Sequence, residues 1–278
     1  MKMKLTLLLF ASICAMQINA NVVIWDVGDT LLTSSAGSSF NQMGMFNTSA
    51  YVLDFLVSNK LSFKKLKPHM RDLFLDTLAL IPCPLNNPDN GALSVAGKPL
   101  PALLRENLLG TLSGKEVLQI SNAWTEANKS YFKNSRQRTI FERTLRICFD
   151  PETSLKTLTK TKHFGLLKQC YQATGVNGKR KNTCVILSNW SSDKLGNLKN
   201  NFKDVFEYSD GQVFSCEEKL LKPATKLFEK CLKFKKNKNE KVILIDDQEE
   251  NRKAAEKFGI IAVHPDYALK TLKEHSII

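Results

Sequence analysis

Residues 21–32 have the sequence NVVIWDVGDTLL, in which a short apolar run ends at Asp26 and continues into a glycine-containing loop. Two later apolar runs also end at polar residues: residues 183–187 precede Ser188-Asn189, and residues 241–245 precede Asp246-Asp247. Helical patterns lie between these runs, and strands that alternate with helices are typical of a parallel sheet. The sequence therefore predicts an α/β fold with a parallel sheet.

The helical patterns divide the chain into an interrupted core and an insertion. Residues 35–149 are mainly helical in pattern, and five of the nine prolines form an irregular loop between Pro82 and Pro101. We assign residues 21–34 and 150–278 to the α/β core and residues 35–149 to the insertion. The helices predicted from apolar spacing cover residues 51–57, 70–80, 117–132, 152–173, 191–201, 222–234 and 251–258, and a last strand covers residues 260–263.

Length and composition exclude several classes of protein. The chain has 278 residues, of which 43% are hydrophobic and 24% are charged, and this balance is typical of a globular protein and not of a disordered one. Since no apolar run reaches the ~18 residues that a membrane-spanning helix needs, we expect no stable membrane insertion. The 40 basic and 27 acidic residues give a net charge of +13, which favours anionic partners.

The first twenty residues have the pattern of a secretory signal peptide. Lys2 and Lys4 precede an apolar stretch from Leu5 to Met16, and Ala20 stands directly before the first strand. We therefore expect residues 1–20 to be removed and the protein to be exported, to the periplasm or out of the cell. A buried N-terminal helix is the alternative.

The cysteines and histidines point to no zinc or redox site. Six cysteines remain after residue 20, and an even number in an exported protein permits disulfides of undetermined pairing. None is spaced as C-x-x-C, and the four histidines are scattered without a ligand spacing.

The side chains suited to catalysis and metal binding follow the ends of the strands. In an open parallel sheet the ligand site lies beyond the carboxyl ends of the strands. Asp26, Ser188 and the pair Asp246-Asp247 follow three of these strands. Clustered carboxylates repel one another, and Mg²⁺ relieves that repulsion because hard cations prefer oxygen ligands. Lys222 supplies a positive charge that suits a bound phosphate, so the pattern predicts a site for a metal and an anion.

Four ordered motifs resemble those of the haloacid dehalogenase-like (HAD) hydrolases. They are Asp26-Val27-Gly28-Asp29-Thr30-Leu31, Leu187-Ser188-Asn189, Leu221-Lys222-Pro223, and Ile245-Asp246-Asp247 followed by Asn251. The resemblance covers residues 21–33 and 183–264 and is absent from residues 35–150. It implies a Rossmann-like parallel core, and it implies that the helical insertion is a cap, because the family often carries one after the first strand.

The resemblance also implies roles for individual residues. Asp26 would attack phosphorus and form an aspartyl-phosphate, while Ser188 and the backbone of Asn189 would bind the phosphoryl oxygens. Lys222 would neutralise the charge of Asp26 and of the phosphate. The implied magnesium ligands are Asp26, the backbone carbonyl of Gly28, Asp246 and Asp247, with Asn251 beside them. The predicted function is a Mg²⁺-dependent phosphatase-like hydrolase that acts on a phosphomonoester.

Gly28 departs from the family's pattern. Phosphatases of this family usually carry a second aspartate two residues after the nucleophile, where it protonates the leaving oxygen. General acid catalysis contributes roughly 10²–10⁴ in rate, and Asp29 is one residue too far to replace it in an extended chain. The alternatives left open are a slow enzyme, a substrate with a good leaving group, or a phosphate-binding or effector protein that is catalytically weak. A dehalogenase is a further alternative, which the paired Asp246 and Asp247 disfavour because dehalogenases need no metal.

The function that the resemblance implies calls for a small phosphorylated substrate or a phosphoprotein as partner. Four arginines of the insertion are suited to an anionic substrate: Arg136, Arg138, Arg143 and Arg146. Five lysines before the strand at 241–245 lie at its amino end and are expected to be solvated: Lys233, Lys235, Lys236, Lys238 and Lys241. We expect no nucleic-acid partner, because aromatic residues are not interleaved with this charge. The sequence leaves the oligomeric state open.

Overall fold

The computed structural model describes residues 21–43, 49, 51–53, 66–85, 94–95 and 98–278. The predicted signal peptide at residues 1–20 lies outside the described residues, as does the predicted helix at 51–57 beyond residue 53. The strands in the described part are β1 (Asn21–Trp25), β2 (Leu32–Ser34), β3 (Ser94–Val95), β4 (Lys98–Pro99), β5 (Leu158–Lys160), β6 (Asn182–Ser188), β7 (Gly211–Phe214), β8 (Val242–Ile245) and β9 (Ile261–Val263).

Thirteen α-helices have both ends in the described residues, and the first five lie within the insertion, while the others lie among the later strands. They are α1 (Ala36–Met43), α2 (Leu66–Ala79), α3 (Ala102–Leu108), α4 (Gly114–Ala127), α5 (Ser135–Phe149), α6 (Pro151–Thr157), α7 (Phe164–Gln172), α8 (Ser192–Asn201), α9 (Lys203–Glu207), α10 (Ser215–Glu218), α11 (Thr225–Leu232), α12 (Glu249–Glu256) and α13 (Ala268–Glu274). No helix among the described residues is long and apolar enough to span a membrane.

Five parallel strands form the central sheet, in the order β7-β6-β1-β8-β9. Every residue of β1, β6 and β8 is buried, as expected for strands that carry helices on both faces. Val23 and Trp25 pack in one apolar cluster and Val22 and Ile24 in another, because successive side chains point to opposite faces. The predicted fold class, an α/β protein with a Rossmann-like parallel core, is confirmed.

The described helices between residues 36 and 149, called the helical segment below, are joined to this core by two short strands. β2 pairs antiparallel with β5, so that Leu32 lies opposite Lys160 and Ser34 opposite Leu158. The segment has an apolar cluster of its own, which includes Phe74, Leu103 and Phe141.

Two neighbouring residues of α8 hold the helical segment against the core. Asp193 accepts a hydrogen bond from the backbone N–H of Gly114 at 2.6 Å, at the beginning of α4. The buried Lys194 donates to the carbonyl of Cys148 at 2.7 Å, at the end of α5. A carboxylate thus meets the positive end of one helix dipole and an ammonium meets the negative end of the next, an arrangement that stabilises both helices.

The structure corrects one predicted helix. The prediction of a single helix over residues 152–173 is wrong, because α6 ends at Thr157 and β5 follows before α7 begins. Thr157, Thr159 and Thr161 alternate through this region, and β-branched residues favour extended backbone. The pairing of β5 with β2 decides the conformation.

Two further elements differ from prediction in smaller ways. The helix predicted from residue 222 begins at Thr225, because Leu221–Ala224 form a turn in which the N–H of Ala224 donates to the carbonyl of Leu221. The strand β7 was not predicted, since its four residues are too short to show a pattern. The described ends of the proline-rich loop include the paired strands β3 and β4.

Candidate active site

A buried lysine bridges two aspartates that follow neighbouring strands. Because Trp25 lies opposite Ile245 in the register of β1 and β8, Asp26 and Asp246 leave the sheet side by side. The ammonium of Lys222 donates to Asp26 Oδ1 at 2.7 Å and to Asp246 Oδ2 at 2.6 Å. All three residues are at most 5% exposed. Their charges are therefore largely shielded from water and interact strongly.

Asp246 already has partners for both of its carboxylate oxygens. Its Oδ1 accepts from the backbone N–H of Gln248 at 2.9 Å and from the amide of Asn251 at 3.0 Å. Its Oδ2 accepts from Lys222 and, at 3.1 Å, from the same Asn251 amide. Asp246 is thus held by four hydrogen bonds, and it in turn positions Lys222.

Asp247 is in the opposite situation. Its Oδ1 is buried and has no hydrogen-bond partner among the described residues. A side-chain oxygen from each of Asp26, Asp246 and Asp247 lies within 4.8 Å of the others. An orphaned carboxylate oxygen beside two further carboxylates is a donor set that a hard divalent cation satisfies. These residues therefore fit Mg²⁺.

Arg252 supports the loop that carries the two aspartates. Its Nη1 donates to the carbonyl of Asp246 at 2.9 Å and to the carbonyl of Asp247 at 2.6 Å. This role was not predicted from the sequence, because an arginine in the first turn of a helix is usually solvated and nothing in the sequence distinguishes Arg252 from such residues.

Ser188 and Asn189 lie at the end of β6, the strand on the other side of β1. Ser188 is 2% exposed. The side-chain amide of Asn189 does not point to an open site: it donates to the carbonyl of Lys222 at 3.2 Å and accepts from the N–H of Lys222 at 2.8 Å. Only the backbone of Asn189 is free for the phosphate contact implied by the resemblance. The structure thus brings the strand ends of Asp26, Ser188 and Asp246, together with Lys222, to one edge of the sheet.

Comparison with known proteins finds likeness in structure only. No protein-family model matches the sequence, and no curated protein matches it. A HAD family enzyme from Bacteroides thetaiotaomicron is 14% identical, with a TM-score of 0.49 over 88% of this chain and 93% of that one. A predicted HAD-like family hydrolase from Porphyromonas gingivalis is also 14% identical, with a TM-score of 0.49 over 91% and 98%. The L-2-haloacid dehalogenase of Xanthobacter autotrophicus is 11% identical, with a TM-score of 0.45 over 87% and 76%.

Because each of these TM-scores is below 0.5, the fold is assigned from this chain's own strand order and from the place of its four motifs. The motifs follow β1, β6 and β8 and the turn before α11, and they meet at the carboxyl edge of a parallel sheet. The chain has the HAD-like fold. The resemblance drawn from the sequence is thereby confirmed at the level of the fold, and it leaves the substrate open.

The position at which the resemblance implies a proton donor is open space. Gly28 is partly exposed, and a Cβ added to it would meet no atom within 4 Å. The neighbouring Asp29 is exposed, has a φ of 51°, and accepts a hydrogen bond from the Thr33 hydroxyl at 2.6 Å. The Asp29 side chain is therefore turned toward β2. Gly28 itself has no carboxyl group.

Burial and neighbouring charges shift the pKa values of Asp26, Asp247 and Lys222. Burial raises the pKa of Asp26 to about 7, with Lys222 opposing the rise and Asp246 adding to it. Burial and the charge of Asp246 raise the pKa of Asp247 to about 6. Burial lowers the pKa of Lys222, but Asp246 and Asp26 outweigh it, so that this pKa lies above its ordinary value. When all three carboxyls are ionised, three negative charges and one ammonium leave two negative charges in excess, which a divalent cation balances.

The four arginines predicted to meet the substrate all lie on α5. Arg138 is paired at 3.5 Å with both Glu126 and Glu142, and Arg143 donates to the carbonyl of Met43 at 2.6 Å. Among the described residues, neither of them nor Arg146 hydrogen-bonds to Asp26, Lys222 or the paired aspartates.

Proposed function

We propose that this protein is a Mg²⁺-dependent phosphatase-like hydrolase that acts on a phosphomonoester through an aspartyl-phosphate. One observation carries the proposal: the buried Lys222 ammonium bridges Asp26 and Asp246, while the adjacent Asp247 keeps a buried oxygen without a partner. This arrangement offers a nucleophile, a fixed positive charge and a cation site within one cluster.

The chain's own residues account for binding and attack. The Lys222 ammonium and the hydroxyl of Ser188, with the backbone N–H of Asn189, are positioned at the strand ends to receive the phosphoryl oxygens. An oxygen of Asp26 attacks phosphorus, the ester P–O bond breaks, and the aspartyl-phosphate formed is later hydrolysed by water. Lys222 stabilises the charge of the phosphoryl group, and the burial of its ammonium strengthens that interaction.

Asp26, Asp247 and the backbone carbonyl of Gly28 would hold the magnesium ion, with Asp246 close by. When bound, Mg²⁺ supplies charge neutralisation for the nucleophile and the phosphoryl group. Asp246, whose two oxygens are already hydrogen-bonded, acts chiefly by fixing Lys222.

The leaving oxygen receives its proton from solvent in this proposal. Gly28 has no side chain, and the carboxylate of Asp29 is bound to Thr33. Leaving groups that need little protonation, such as aryl or acyl groups, are therefore the favoured substrates.

A catalytically weak phosphate-binding protein is the second candidate, and the missing carboxyl at position 28 is the observation that favours it. A dehalogenase is disfavoured, because the orphaned Asp247 oxygen suits a metal that such a reaction does not require.

A phosphatase screen of the chain in Mg²⁺ and in EDTA tests the proposal. We expect turnover of aryl phosphates in Mg²⁺, loss of turnover in EDTA, and loss in Asp26→Asn with the melting temperature retained. Asp76→Asn is the matched control, since it removes one exposed carboxyl whose ion pair among the described residues is with Lys98. Phosphate binding without turnover would support the second candidate, and unchanged turnover in Asp26→Asn would exclude Asp26 as the nucleophile.

The proposal includes two further parts. The substrate is a small phosphorylated molecule or a phosphoprotein, and the protein is exported. Removal of residues 1–20 is tested by sequencing the N-terminus of protein isolated from its host, where Asn21 or a close neighbour is expected. An intact Met1 on soluble cytoplasmic protein would contradict export.

A further inference from the structure

A polar cavity of about 620 Å³ shares no described lining residue with the cluster of Asp26, Lys222, Asp246 and Asp247, called the aspartate cluster below. The described residues that line it belong to α1, α4, α5 and α6, and all of them are polar or charged. Its volume is within the range of small-molecule sites. None of the residues of the cluster around Asp26 lines it.

The acidic residues of this cavity are neutralised by partners outside its lining. Glu126 is paired with Lys129 at 2.7 Å and with Arg138 at 3.5 Å. Glu142 is paired with the same Arg138 at 3.5 Å. The two negative charges of the lining are therefore balanced before any ligand binds.

The basic residues of the lining have no such balance. Arg143 and Arg146 are three positions apart on α5, so they lie on the same face of the helix. Among the described residues neither has a carboxylate within ion-pair distance. The hydrogen bond from Arg143 to the carbonyl of Met43 holds its guanidinium in a fixed place. Two neighbouring guanidinium groups repel each other, and an anion bound between them replaces that repulsion with charge-assisted hydrogen bonds.

The remaining lining residues indicate what the rest of the ligand is like. Gln42 and Asn122 bring amides, and Thr139 and Thr153 bring hydroxyls. The hydroxyl of Thr139 already donates to the carbonyl of Ser135 at 3.0 Å, which leaves its oxygen free to accept. Groups that both donate and accept match hydroxyl groups on a ligand.

We propose that this cavity binds a small polyhydroxylated anion, such as a sugar phosphate or a sugar acid, with its phosphate or carboxylate between Arg143 and Arg146. The site is separate from the proposed catalytic site and does not depend on it.

Calorimetric titration of the full chain in EDTA tests the inference, with glucose 6-phosphate and gluconate as the two anion types and glucose as the neutral control. We expect saturable binding of at least one anion and none of glucose. Arg146→Gln, an exposed position that the fold does not need, should weaken binding by about tenfold, the value of one lost charge-assisted contact. Arg143→Gln should do the same, and Lys133→Gln, which removes an equal charge from an exposed residue outside the lining, should change nothing.

Three results would overturn it. Binding that is unchanged in both arginine variants would place the anion elsewhere, and binding that is lost in Ser188→Ala would place it at the aspartate cluster. Absence of saturable binding of either anion at millimolar concentration would remove the site altogether. Because neither probe is tested for turnover, failure here leaves the proposed hydrolase activity untouched.

Discussion

The side-chain amide of Asn189 pairs with the backbone of Lys222 in both directions. It donates to the carbonyl at 3.2 Å and accepts from the N–H at 2.8 Å, as a neighbouring strand would do. The end of β6 is thereby joined to the turn that carries the lysine. This contact holds the backbone of Lys222 in place, and the hydrogen bonds to Asp26 and Asp246 hold its ammonium group.

Asn189→Ala should lower kcat and leave KM nearly unchanged. Two hydrogen bonds of about 1 kcal/mol each hold the Lys222 backbone, so we expect a loss of about ten- to thirtyfold in kcat. Steady-state kinetics on an aryl phosphate measure both constants. Asn201→Ala, at the end of α8, is the control. A raised KM at constant kcat would instead show that the Asn189 side chain binds substrate.

Magnesium affinity should rise with pH through the range of about 6 to 7. In the protein without metal the pKa values of Asp26 and Asp247 are raised to about 7 and about 6, and these protons must leave before the oxygens bind a cation. Because the folded state binds more protons than the unfolded one, the metal-free protein should lose stability as pH rises from about 4 to 7.

Melting curves measure this linkage. The rise in melting temperature caused by Mg²⁺ should be larger at about pH 8 than at about pH 5. Asp247→Ala should remove most of the rise at both values, and Asp76→Asn should remove none of it. An equal rise at the two pH values would mean that these carboxyls do not release protons to the metal.

The Gly28→Asp variant should fold normally, and it should reduce the difference in turnover rate between aryl and alkyl phosphates. An added Cβ meets no atom within 4 Å, and Gly28 is not among the residues with positive φ, so with Mg²⁺ present to offset the added negative charge we expect a change of about 0.5 kcal/mol or less in unfolding free energy. Turnover of alkyl phosphates should rise by up to roughly 10²–10⁴, the value of a general acid, while aryl phosphates gain less.

The wild-type chain supplies the comparison for this prediction. Its aryl phosphates should turn over much faster than its alkyl phosphates. Equal rates, limited by the chemical step, would show that another group protonates the leaving oxygen. Asp29→Asn then tests the nearest candidate.

Gly114→Ala should destabilise the contact between the helical segment and the core. A Cβ at this position would lie 1.9 Å from the carbonyl oxygen of Phe149 and 2.8 Å from Asp193 Oδ2. Backbone would have to shift, at a cost of about 1–3 kcal/mol in unfolding free energy. Urea denaturation measures it. Gly196→Ala in α8 is the matched control, because its Cβ meets nothing within 4 Å and should be neutral or stabilising. Equal stability of the two variants would contradict the packing described at Gly114.

The sequence by itself determined the parallel α/β core and which residues stand at its strand ends. The apolar runs of β1, β6 and β8 are local patterns, and a polar residue that follows a buried strand lies at the sheet edge whatever else the chain does. The alternation of strands and helices determined that these edges coincide. Local pattern was misleading at residues 152–173, where pairing of β5 with β2 overrides a helical spacing.

Only the tertiary structure decided which role each residue of the site can take. Asp246 and Asp247 are adjacent and identical in type, yet one is saturated by hydrogen bonds and the other keeps an unpartnered buried oxygen. The Asn189 amide is bound to a backbone 33 positions away, and Lys222 meets Asp26 across 196 positions. Such contacts depend on where folding brings distant segments together. Periodicity and composition describe only neighbours along the chain, so they do not contain this information.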